Sequence, residues 1–586
     1  MLTTTRDSAI RLIMVLSLLA TLALVSPTRP SSAIDPSGQS VEEQVDALLA
    51  QMSLRQKVGQ LFMVSIGGSQ LTEQQLAFLS TYQPGAIVLS LQNLQGRSPE
   101  SITRFTNELQ VTSLNNTSIP LLIAVDQEGG RVRRLEEGFT AFPEPSILGA
   151  TADPQIAVRI GDAMASEINA VGFNMNLAPV VDLHTRADML NPYRVLNHRT
   201  LSQDPQIVGE LAGGMTQGMA NAGVVSVLKH YPGHSPTADD SHAQVAAVNL
   251  DEATWRSTNL RAFAVAIEGG AQAVMVGHLY YPAIEPVENL PASLSPVMIS
   301  ILRDELGFEG IVMTDALEMG GIVTAYSFPH AALMALQAGV DIVAMGPNAN
   351  FEDQQRAMDY VYLAAQNGSL PIARVDESVR RVLRIKIAYG LMAWTPLEPE
   401  TAAARIARDT SHEAITAMFE AGITVVRDDE KMLPLLPDDD VAIIYPVGKP
   451  AIQEVCSQYL PEAVFQGYSF EPYDWEFGAA RAAANQADTV VVIAENIGWN
   501  IEQANFVAGL PTEKMIYVSL WKPYEWEAVA AIDPDTPGFV AAYSTREEAQ
   551  VALCRVLAGA VPARGRLPMA LEGWYELGHG ITYPAR

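Results

Sequence analysis

The sequence is poor in cysteine, in histidine and in positive charge. Its 586 residues include 2 cysteines and 9 histidines, and 37 basic residues stand against 66 acidic ones, for a net charge of -29. Nucleic-acid-binding proteins typically carry a basic face, so this charge argues against a nucleic acid partner. Two cysteines far apart in sequence exclude a cysteine-based metal site. The composition does not exclude a neutral small-molecule ligand.

Long apolar runs are also scarce, and we find one, from Leu12 to Val25. Arg6 and Arg11 precede it, and the small residues of "SPTRPSSA" follow. This pattern predicts a secretory signal peptide over residues 1–33, and therefore an exported protein, extracellular or in the cell envelope. The alternative is an uncleaved membrane anchor, although the run is short of the ~20 apolar residues typical of a membrane span.

The two cysteines, Cys456 and Cys554, both lie in the last third of the chain. In an exported protein they could form one disulfide. Two buried thiols are equally compatible with the sequence, because the sequence gives no distance between them.

Eight apolar, β-branched runs recur between about residue 55 and residue 350, each followed by a loop and a helix-like stretch. Such alternation is typical of a parallel sheet covered by helices on both faces. Eight units over roughly 300 residues predict an α/β fold of the (β/α)8 TIM-barrel type. The runs are Gly59 to Ile66, Gly85 to Ser90, Pro120 to Asp126, Phe173 to Asp182, Val224 to His230, Ala271 to His278, Gly310 to Asp315 and Gly339 to Gly346.

A second α/β unit follows a charged, alanine-rich helical region. Four further apolar runs alternate with helix-like stretches after about residue 440, which predicts a doubly wound α/β sandwich. We therefore expect a signal peptide over 1–33, a catalytic barrel over 34–390, a helical linker over 391–420 and the sandwich domain over 421–586. Its strand ends are poor in paired ionisable groups, so we expect support or substrate contact there and the chemistry in the barrel.

Ionisable residues stand at the ends of five barrel strands. The carboxyl ends of barrel strands converge on one mouth, where active sites lie. One such residue means little, but five at five strand ends indicate a shared site. They are Asp126, Asp182, His230, His278 and Asp315.

The segment "KHYPGHSPTADDSH", Lys229 to His242, holds three of the nine histidines. A metal site is disfavoured, because Pro232 and Gly233 break any helix that could present a histidine pair. We interpret His234 as a residue that satisfies loop backbone groups. In an extended segment Asp240 and His242 would point the same way. A carboxylate beside an imidazole orients the ring for proton transfer near neutral pH.

A proton donor needs a partner, and Asp315 ends the seventh apolar run. If the glycine- and proline-rich loop folds over the barrel mouth, His242 faces Asp315 across a bound substrate. A carboxylate nucleophile opposite an acid/base group is the arrangement of retaining glycoside hydrolysis. The alternative for Asp315 taken alone is a helix cap at a strand end.

Four ordered segments resemble the bacterial β-N-acetylglucosaminidases of glycoside hydrolase family 3. "KHYPGHSPTADDSH" resembles that family's K-H-[FY]-P-G-H-x(5)-D-S-H segment, and "AVDQEGGRVRR" its D-Q-E-G-G-R-V-x-R segment. "NHRTLSQDP" is similar to G-x-R-S-F-x-x-D-P, and "LRDELGFEGIVMTDALEM" to the segment that holds the nucleophile. The resemblance covers the barrel and extends more weakly to "GRLPMAL" and "GHGITY" near the C-terminus.

The resemblance implies roles for individual residues. Asp315 matches the nucleophile, His242 the acid/base histidine and Asp240 its carboxylate partner. Groups that bind the N-acetylated sugar match at Asp126, Arg134, Arg199, Lys229 and His230. The chain departs from the family at Ala316, where a second aspartate is frequent, and at Ser235, where glycine is usual.

The resemblance thus implies a retaining exo-β-N-acetylglucosaminidase that acts on cell-wall muropeptides or chitin-type oligosaccharides, with no metal and no cofactor. Three alternatives stay open: a phosphorolytic enzyme, a β-glucosidase of the same family, and a sugar-binding protein without activity. An imidazole acid/base is neutral after it loses its proton, so it would not repel phosphate as an acceptor. The sequence does not predict the oligomeric state.

Overall fold

The computed structural model describes residues 39–586, apart from 188–190, 192–193, 236, 238 and 407. The predicted signal peptide over 1–33 lies outside these residues. Among the described helices, none combines the length and the apolar character that crossing a membrane requires.

Eight short parallel strands form the first sheet, and their order around it follows the sequence. The first strand pairs with the eighth at Phe62 and Val343, and a bridge joins Met313 to Ile342, so the sheet closes into a barrel. The predicted (β/α)8 architecture is confirmed. The strands are β1 (Phe62–Ser65), β2 (Ala86–Leu89), β3 (Leu122–Val125), β4 (Met175–Asn176), β5 (Val225–Tyr231), β6 (Ala273–Val276), β7 (Ile311–Thr314) and β8 (Val343–Ala344).

These strands are mostly apolar because both of their faces are buried, and their polar residues stand mainly toward their carboxyl ends. One face lines the barrel interior, where Met63, Val88 and Met275 pack together. The other face packs against the surrounding helices. The helices are α1 (Val41–Gln51), α2 (Leu54–Gln60), α3 (Glu73–Tyr82), α4 (Leu91–Leu94), α5 (Pro99–Thr117), α6 (Pro145–Thr151), α7 (Pro154–Asn169), α8 (Pro205–Asn221), α9 (Glu252–Ser257), α10 (Asn259–Glu268), α11 (Pro296–Ser300), α12 (Gly320–Val323), α13 (Phe328–Ala338), α14 (Phe351–Asn367) and α15 (Ile372–Ala388).

Helix α15 closes the amino-terminal end of the barrel. Its Val382 and Ile385 join the apolar cluster of the interior. The ammonium of Lys386 donates to Gln60 Oε1 at 2.7 Å and to the carbonyl of Gly85 at 2.8 Å, just ahead of β1 and β2. Because this end is plugged, a ligand can approach the strands from the opposite, carboxyl end.

The region predicted as a helical linker, 391–420, is helical only in part. After α15 the chain turns at Gly390, whose φ is 71°. Pro396 and Pro399 lack the N–H that a continuous helix needs, and only short turns occur there. Helix formation resumes at α16 (Ala402–Arg405) and α17 (Arg408–Gly422).

A six-stranded sheet forms the second unit. The strands are β9 (Thr424–Asp428), β10 (Val441–Pro446), β11 (Val464–Tyr468), β12 (Thr489–Ala494), β13 (Met515–Ser519) and β14 (Gly538–Ala541). They lie in the order β9-β14-β13-β12-β10-β11, and only β9 runs antiparallel to its neighbour. The strand order reverses between β10 and β12, which confirms the predicted doubly wound topology.

Helices cover the second sheet on both faces, and one disulfide joins two of them. Cys456 of α18 and Cys554 of α22 form this bond. The helices are α18 (Pro450–Tyr459), α19 (Asp474–Gln486), α20 (Ile501–Ala508), α21 (Trp526–Ile532) and α22 (Glu547–Leu557).

The second unit packs against the loop that follows β4 of the barrel. His184 Nε2 and Tyr524 Oη are 3.1 Å apart. The indole N–H of Trp521 donates to His198 Nε2 at 3.1 Å. Arg186 forms a bidentate ion pair with Glu527, with both nitrogen–oxygen distances at 2.5 Å. The unit therefore forms one wall beside the barrel mouth.

Candidate active site

The sequence-predicted residues of the barrel gather at its carboxyl end. They stand at or near the carboxyl ends of five successive strands, so the parallel register brings them to one mouth. They are Asp126 after β3, Asp182 after β4, Lys229 and His230 in β5, His278 after β6 and Asp315 after β7.

Four charged side chains form a connected network on one side of the mouth. The ammonium of Lys229 lies 2.7 Å from Asp126 Oδ1 and 2.7 Å from Glu128 Oε1. Arg199 donates two hydrogen bonds to Glu128, from Nε at 2.8 Å and from Nη2 at 2.7 Å. Two cations thus balance two carboxylates, and the bidentate geometry fixes the plane of the guanidinium.

Because these side chains are buried, each stays ionised only if an opposite charge is paired with it. Removal from water would raise the pKa of Glu128, but the charges of Arg199 and Lys229 outweigh it and hold that pKa well below its usual range. Burial likewise lowers the pKa values of Arg199 and Lys229, and the neighbouring carboxylates raise both above their usual values. All three groups therefore stay ionised at neutral pH.

A second pair holds the loop that follows β5. Asp182 Oδ2 lies 2.7 Å from His230 Nδ1, and Asp182 Oδ1 accepts from the backbone N–H of His234 at 2.6 Å. Burial raises the pKa of Asp182, but these partners lower it overall. His234 Nε2 lies 3.0 Å from Ser241 Oγ, within the same loop. The His234 ring therefore contacts a loop hydroxyl, where the sequence analysis expected loop backbone groups.

Asp315 is partly exposed to the mouth and remains a carboxylate. Its Oδ1 accepts from the backbone N–H of Ala316 at 2.7 Å. Burial raises the pKa of Asp315, but the nearby imidazoles of His230 and His278, with this N–H, lower it overall. His278 is itself fixed, with Nε2 2.9 Å from the carbonyl oxygen of Ala316. The environment therefore favours an ionised, oriented Asp315.

His242 and Asp240 form the predicted pair, but a turn places them together. Asp240 Oδ1 lies 2.8 Å from His242 Nδ1 and accepts from the backbone N–H of His242 at 2.8 Å. The predicted extended segment is wrong here, because one carboxylate oxygen engages backbone and ring at once. The His242 side chain is 60% exposed, so its Nε2 edge is free to meet a ligand.

The backbone of this loop is attached to the turn that follows Asp315. The N–H of Gly320 donates to the carbonyl of His242 at 2.8 Å, and the N–H of Gly321 donates to that of Ser241 at 3.0 Å. A side chain at Gly320 would lie 2.2 Å from the carbonyl oxygen of Ala243, so this approach requires glycine. His242 also contributes to the lowered pKa of Asp315.

Arg134 lies beside the charge network and keeps its guanidinium available. Its backbone N–H donates to Gln127 Oε1 at 2.9 Å, at the end of a short hairpin. Within the described part of the chain, the guanidinium makes no hydrogen bond or ion pair. The structure therefore brings seven of the eight predicted residues into contacts at the mouth, and Arg134 stands next to them with free donors.

Three residues of this arrangement were not among the predicted site residues. Asp182 and His278 were expected at the shared mouth but were given no individual role, and burial beside a catalytic candidate gives them their importance. Glu128 stands inside the "DQEGG" segment, and no feature of spacing reveals that it would join Arg199 to Lys229. Within the described ranges, no cluster of histidine, cysteine or carboxylate side chains is arranged to hold a metal ion.

Comparisons with known proteins give consistent matches. Residues 53–385 match the family model described as the glycosyl hydrolase family 3 N terminal domain. Beta-hexosaminidase A of Pseudoalteromonas piscicida is 29% identical over 559 residues, which cover 84% of this chain and 90% of the relative. A beta-hexosaminidase of Nitrosomonas eutropha is 32% identical over 330 residues, which cover 55% of this chain and 91% of the relative.

One solved structure matches nearly the whole described chain. A glycoside hydrolase family 3 beta-N-acetylglucosaminidase from Paenibacillus superposes with a TM-score of 0.70 at 29% identity. The match covers 89% of this chain and 99% of that one. Both units, and not the barrel alone, therefore have a counterpart in a solved structure.

We predict that Glu128→Gln lowers the free energy of unfolding by about 3 kcal/mol at pH 7, because it leaves two buried cations with one carboxylate. Since the pKa of Glu128 is lowered on folding, its contribution is fully present above the unfolded pKa and is lost as the pH falls through the folded one. Urea unfolding of parent and variant at pH 7 and at strongly acidic pH measures both effects.

The matched control is Glu285→Gln. Glu285 is also buried, but it accepts hydrogen bonds from Val287 and Ser295 and has no cationic partner among the described residues. Glu285→Gln should therefore lower the free energy of unfolding by less than Glu128→Gln does. Equal losses for the two variants would contradict a network held by charge.

Proposed function

Because the chain belongs to glycosyl hydrolase family 3 and is a glycoside hydrolase that acts on β-linked hexosamine, we propose that it releases terminal N-acetylhexosamine with retention of configuration. One observation carries the proposal. The loop with the His242–Asp240 pair is joined by its backbone to the turn that follows the ionised Asp315. A nucleophilic carboxylate and an acid/base group that share one pocket are what a two-step displacement needs.

In the first step, an oxygen of Asp315 attacks the anomeric carbon, and the bond from that carbon to the leaving oxygen breaks. Asp240 holds Nδ1 of His242, so the proton that passes to the leaving oxygen comes from Nε2. The products are a glycosyl ester on Asp315 and the free alcohol. In the second step, His242 takes a proton from water at Nε2, the water oxygen attacks the anomeric carbon, and Asp315 leaves as a carboxylate.

The electrostatics of Asp315 suit both steps. A lowered pKa keeps the nucleophile ionised, and it makes the same carboxylate a good leaving group in the second step. The exposed imidazole of His242, neutral after the first step, is open to the water that it deprotonates in the second. Neither step calls for a metal ion or an organic cofactor.

The remaining residues would hold the sugar. Asp126 is a quarter exposed and paired with Lys229, so both can bind hydroxyl groups. The free guanidinium of Arg134 and the fixed one of Arg199 supply further donors, and His230, held by Asp182, lies near enough for its charge to act on Asp315. Charge-assisted hydrogen bonds of this kind fix orientation, which is a major source of rate.

Export from the cell stays part of the proposal, on the basis of the N-terminal apolar segment. An exported enzyme of this kind would act on cell-wall fragments or on chitin-type oligosaccharides. Both carry terminal β-linked N-acetylhexosamine.

We expect 4-nitrophenyl N-acetyl-β-D-glucosaminide to be hydrolysed with a kcat/KM at least about 100-fold above that of the matching β-glucoside, because under the proposal buried polar groups that bind the N-acetyl group would be left unpaired by the glucoside. Initial rates on the two glycosides measure this preference. The assay is repeated with added phosphate, and a sugar 1-phosphate as the main product would favour phosphorolysis. Faster turnover of the glucoside would contradict the proposed substrate class.

We expect His242→Gln to lower kcat by about 10² to 10⁴ on a glycoside with a poor leaving group, because such a group must be protonated as it departs. With a dinitrophenyl leaving group the loss in the first step should nearly vanish. His330→Gln, which alters an exposed histidine on α13, is the control and should behave like the parent. An equal loss on both substrates would show that His242 is not the proton donor.

A further inference from the structure

An open pocket of about 420 Å³ lies on the second unit, apart from the charge network of the barrel. It spans the place where the strand order of the second sheet reverses, with Phe470 after β11 on one side and Lys522 after β13 on the other. Doubly wound sheets bind their ligands at this reversal, outside the carboxyl ends of the strands.

Two large aromatic side chains line the pocket and face solvent. Trp499 is 69% exposed and Phe470 is 54% exposed. Most aromatic side chains of this size are buried, so a neighbouring exposed pair in a concave site indicates a ligand. Flat aromatic faces offer stacking contacts to rings that have an apolar face and polar edges.

Lys522 lines the pocket, and its charge interacts with the buried carboxyl of Glu525 without a hydrogen bond between the two. Lys522 is only 9% exposed, and within the described residues its ammonium makes no hydrogen bond or ion pair. Lysine is rarely buried to this degree unless it is paired, because loss of water is costly for a charged group. The donors of this ammonium are therefore available to acceptor groups of a ligand.

The charges around the pocket favour a neutral ligand. Glu471 and Glu502 stand at its edge together with Asn496. Two carboxylates beside one ammonium repel anions, in a chain whose net charge is already -29. A neutral molecule rich in hydroxyl and amide groups meets all of these side chains without a charge penalty.

The pocket adjoins the barrel mouth. Trp521, next to Lys522, donates to His198 at 3.1 Å, and His198 precedes Arg199 of the charge network. The charges of Lys522 and of Arg131, which belongs to the barrel, both act on His198. A chain-like ligand that left the mouth along this wall would pass Trp521, the neighbour of the pocket residue Lys522.

We propose that this pocket binds the leaving-group side of a β-linked N-acetylhexosamine oligosaccharide whose terminal residue occupies the barrel mouth. Trp499 and Phe470 provide the stacking surfaces, and Lys522 and Asn496 bind the polar edges of the sugar. The inference rests on the proposed function and deepens it, because it makes the second unit a determinant of substrate length.

The test compares substrates of two lengths, the aryl N-acetylglucosaminide and the pentamer of β-1,4-linked N-acetylglucosamine. For Trp499→Ala, the ratio of kcat/KM for the pentamer to kcat/KM for the aryl glycoside should fall about 5-fold from the parent value. One stacking contact of 0.5–1.5 kcal/mol corresponds to a factor of roughly 2 to 12. Phe470→Ala should lower the ratio in the same direction.

Trp475→Ala is the matched control. Trp475 is 68% exposed, lies on α19 of the same unit and does not line the pocket, so its loss should leave the ratio at the parent value. If Trp499→Ala and Trp475→Ala give the same ratio as the parent, the inference is wrong while the proposed function stands.

Calorimetric titration of the pentamer into Asp315→Asn, with and without Trp499→Ala, separates the two ideas further. The pentamer should bind about 5-fold more weakly when Trp499 is absent, even if the parent proves unable to hydrolyse either substrate. Unchanged affinity would overturn the inference by a route that does not depend on catalysis.

Discussion

The ion network at the barrel mouth is the constraint on which the rest of the site depends. Glu128 is buried with Arg199 on one side and Lys229 on the other, and Asp126 completes the balance of charge. An unpaired ion in such a place would cost several kcal/mol, so each member requires the others. The network joins β3 and β5 to the loop after β4, and it fixes the position of donors that can meet a sugar.

The same loop after β4 carries the contact with the second unit. His184, Arg186 and His198 meet Tyr524, Glu527 and Trp521 there. The wall that shapes the barrel mouth is therefore shared between the two units. Opposite this wall, Asp315 stays in a fixed, ionised state, while the side chain of His242 is open to solvent. A rigid nucleophile and an accessible proton carrier suit a reaction in which water must enter after the first product leaves.

Much of the fold could be predicted from the sequence. Strands buried on both faces form short, nearly continuous apolar runs, and this pattern differs from the periodic pattern of amphipathic helices. The residues at the strand ends, such as Asp126 and Asp315, were visible for the same reason, since a charged group marks where burial stops. Glu128 was not visible, because its role depends on two cations that lie 71 and 101 residues away in sequence and meet it only in the fold.

The other features that the sequence did not predict depend on local geometry. The Asp240–His242 pair was expected in an extended segment, but one carboxylate oxygen binds both the ring and the backbone and closes a turn. The linker was expected to be helical, and Pro396 and Pro399 interrupt it. The disulfide between Cys456 and Cys554 depends on a distance between α18 and α22 that no pattern of residues contains. The boundaries of the domains and the roles of the individual site residues stay predictions.

The central claim is that Asp315 forms a covalent bond to the sugar during each turnover. The most direct measurement is mass spectrometry of the enzyme after incubation with a fluorinated N-acetylglucosaminyl donor that forms the intermediate quickly and hydrolyses slowly. The account predicts a mass increase of one sugar residue, located after proteolysis on the peptide that contains Asp315 and absent from Asp315→Asn. A label on another residue, or turnover of the donor by Asp315→Asn at the parent rate, would contradict it.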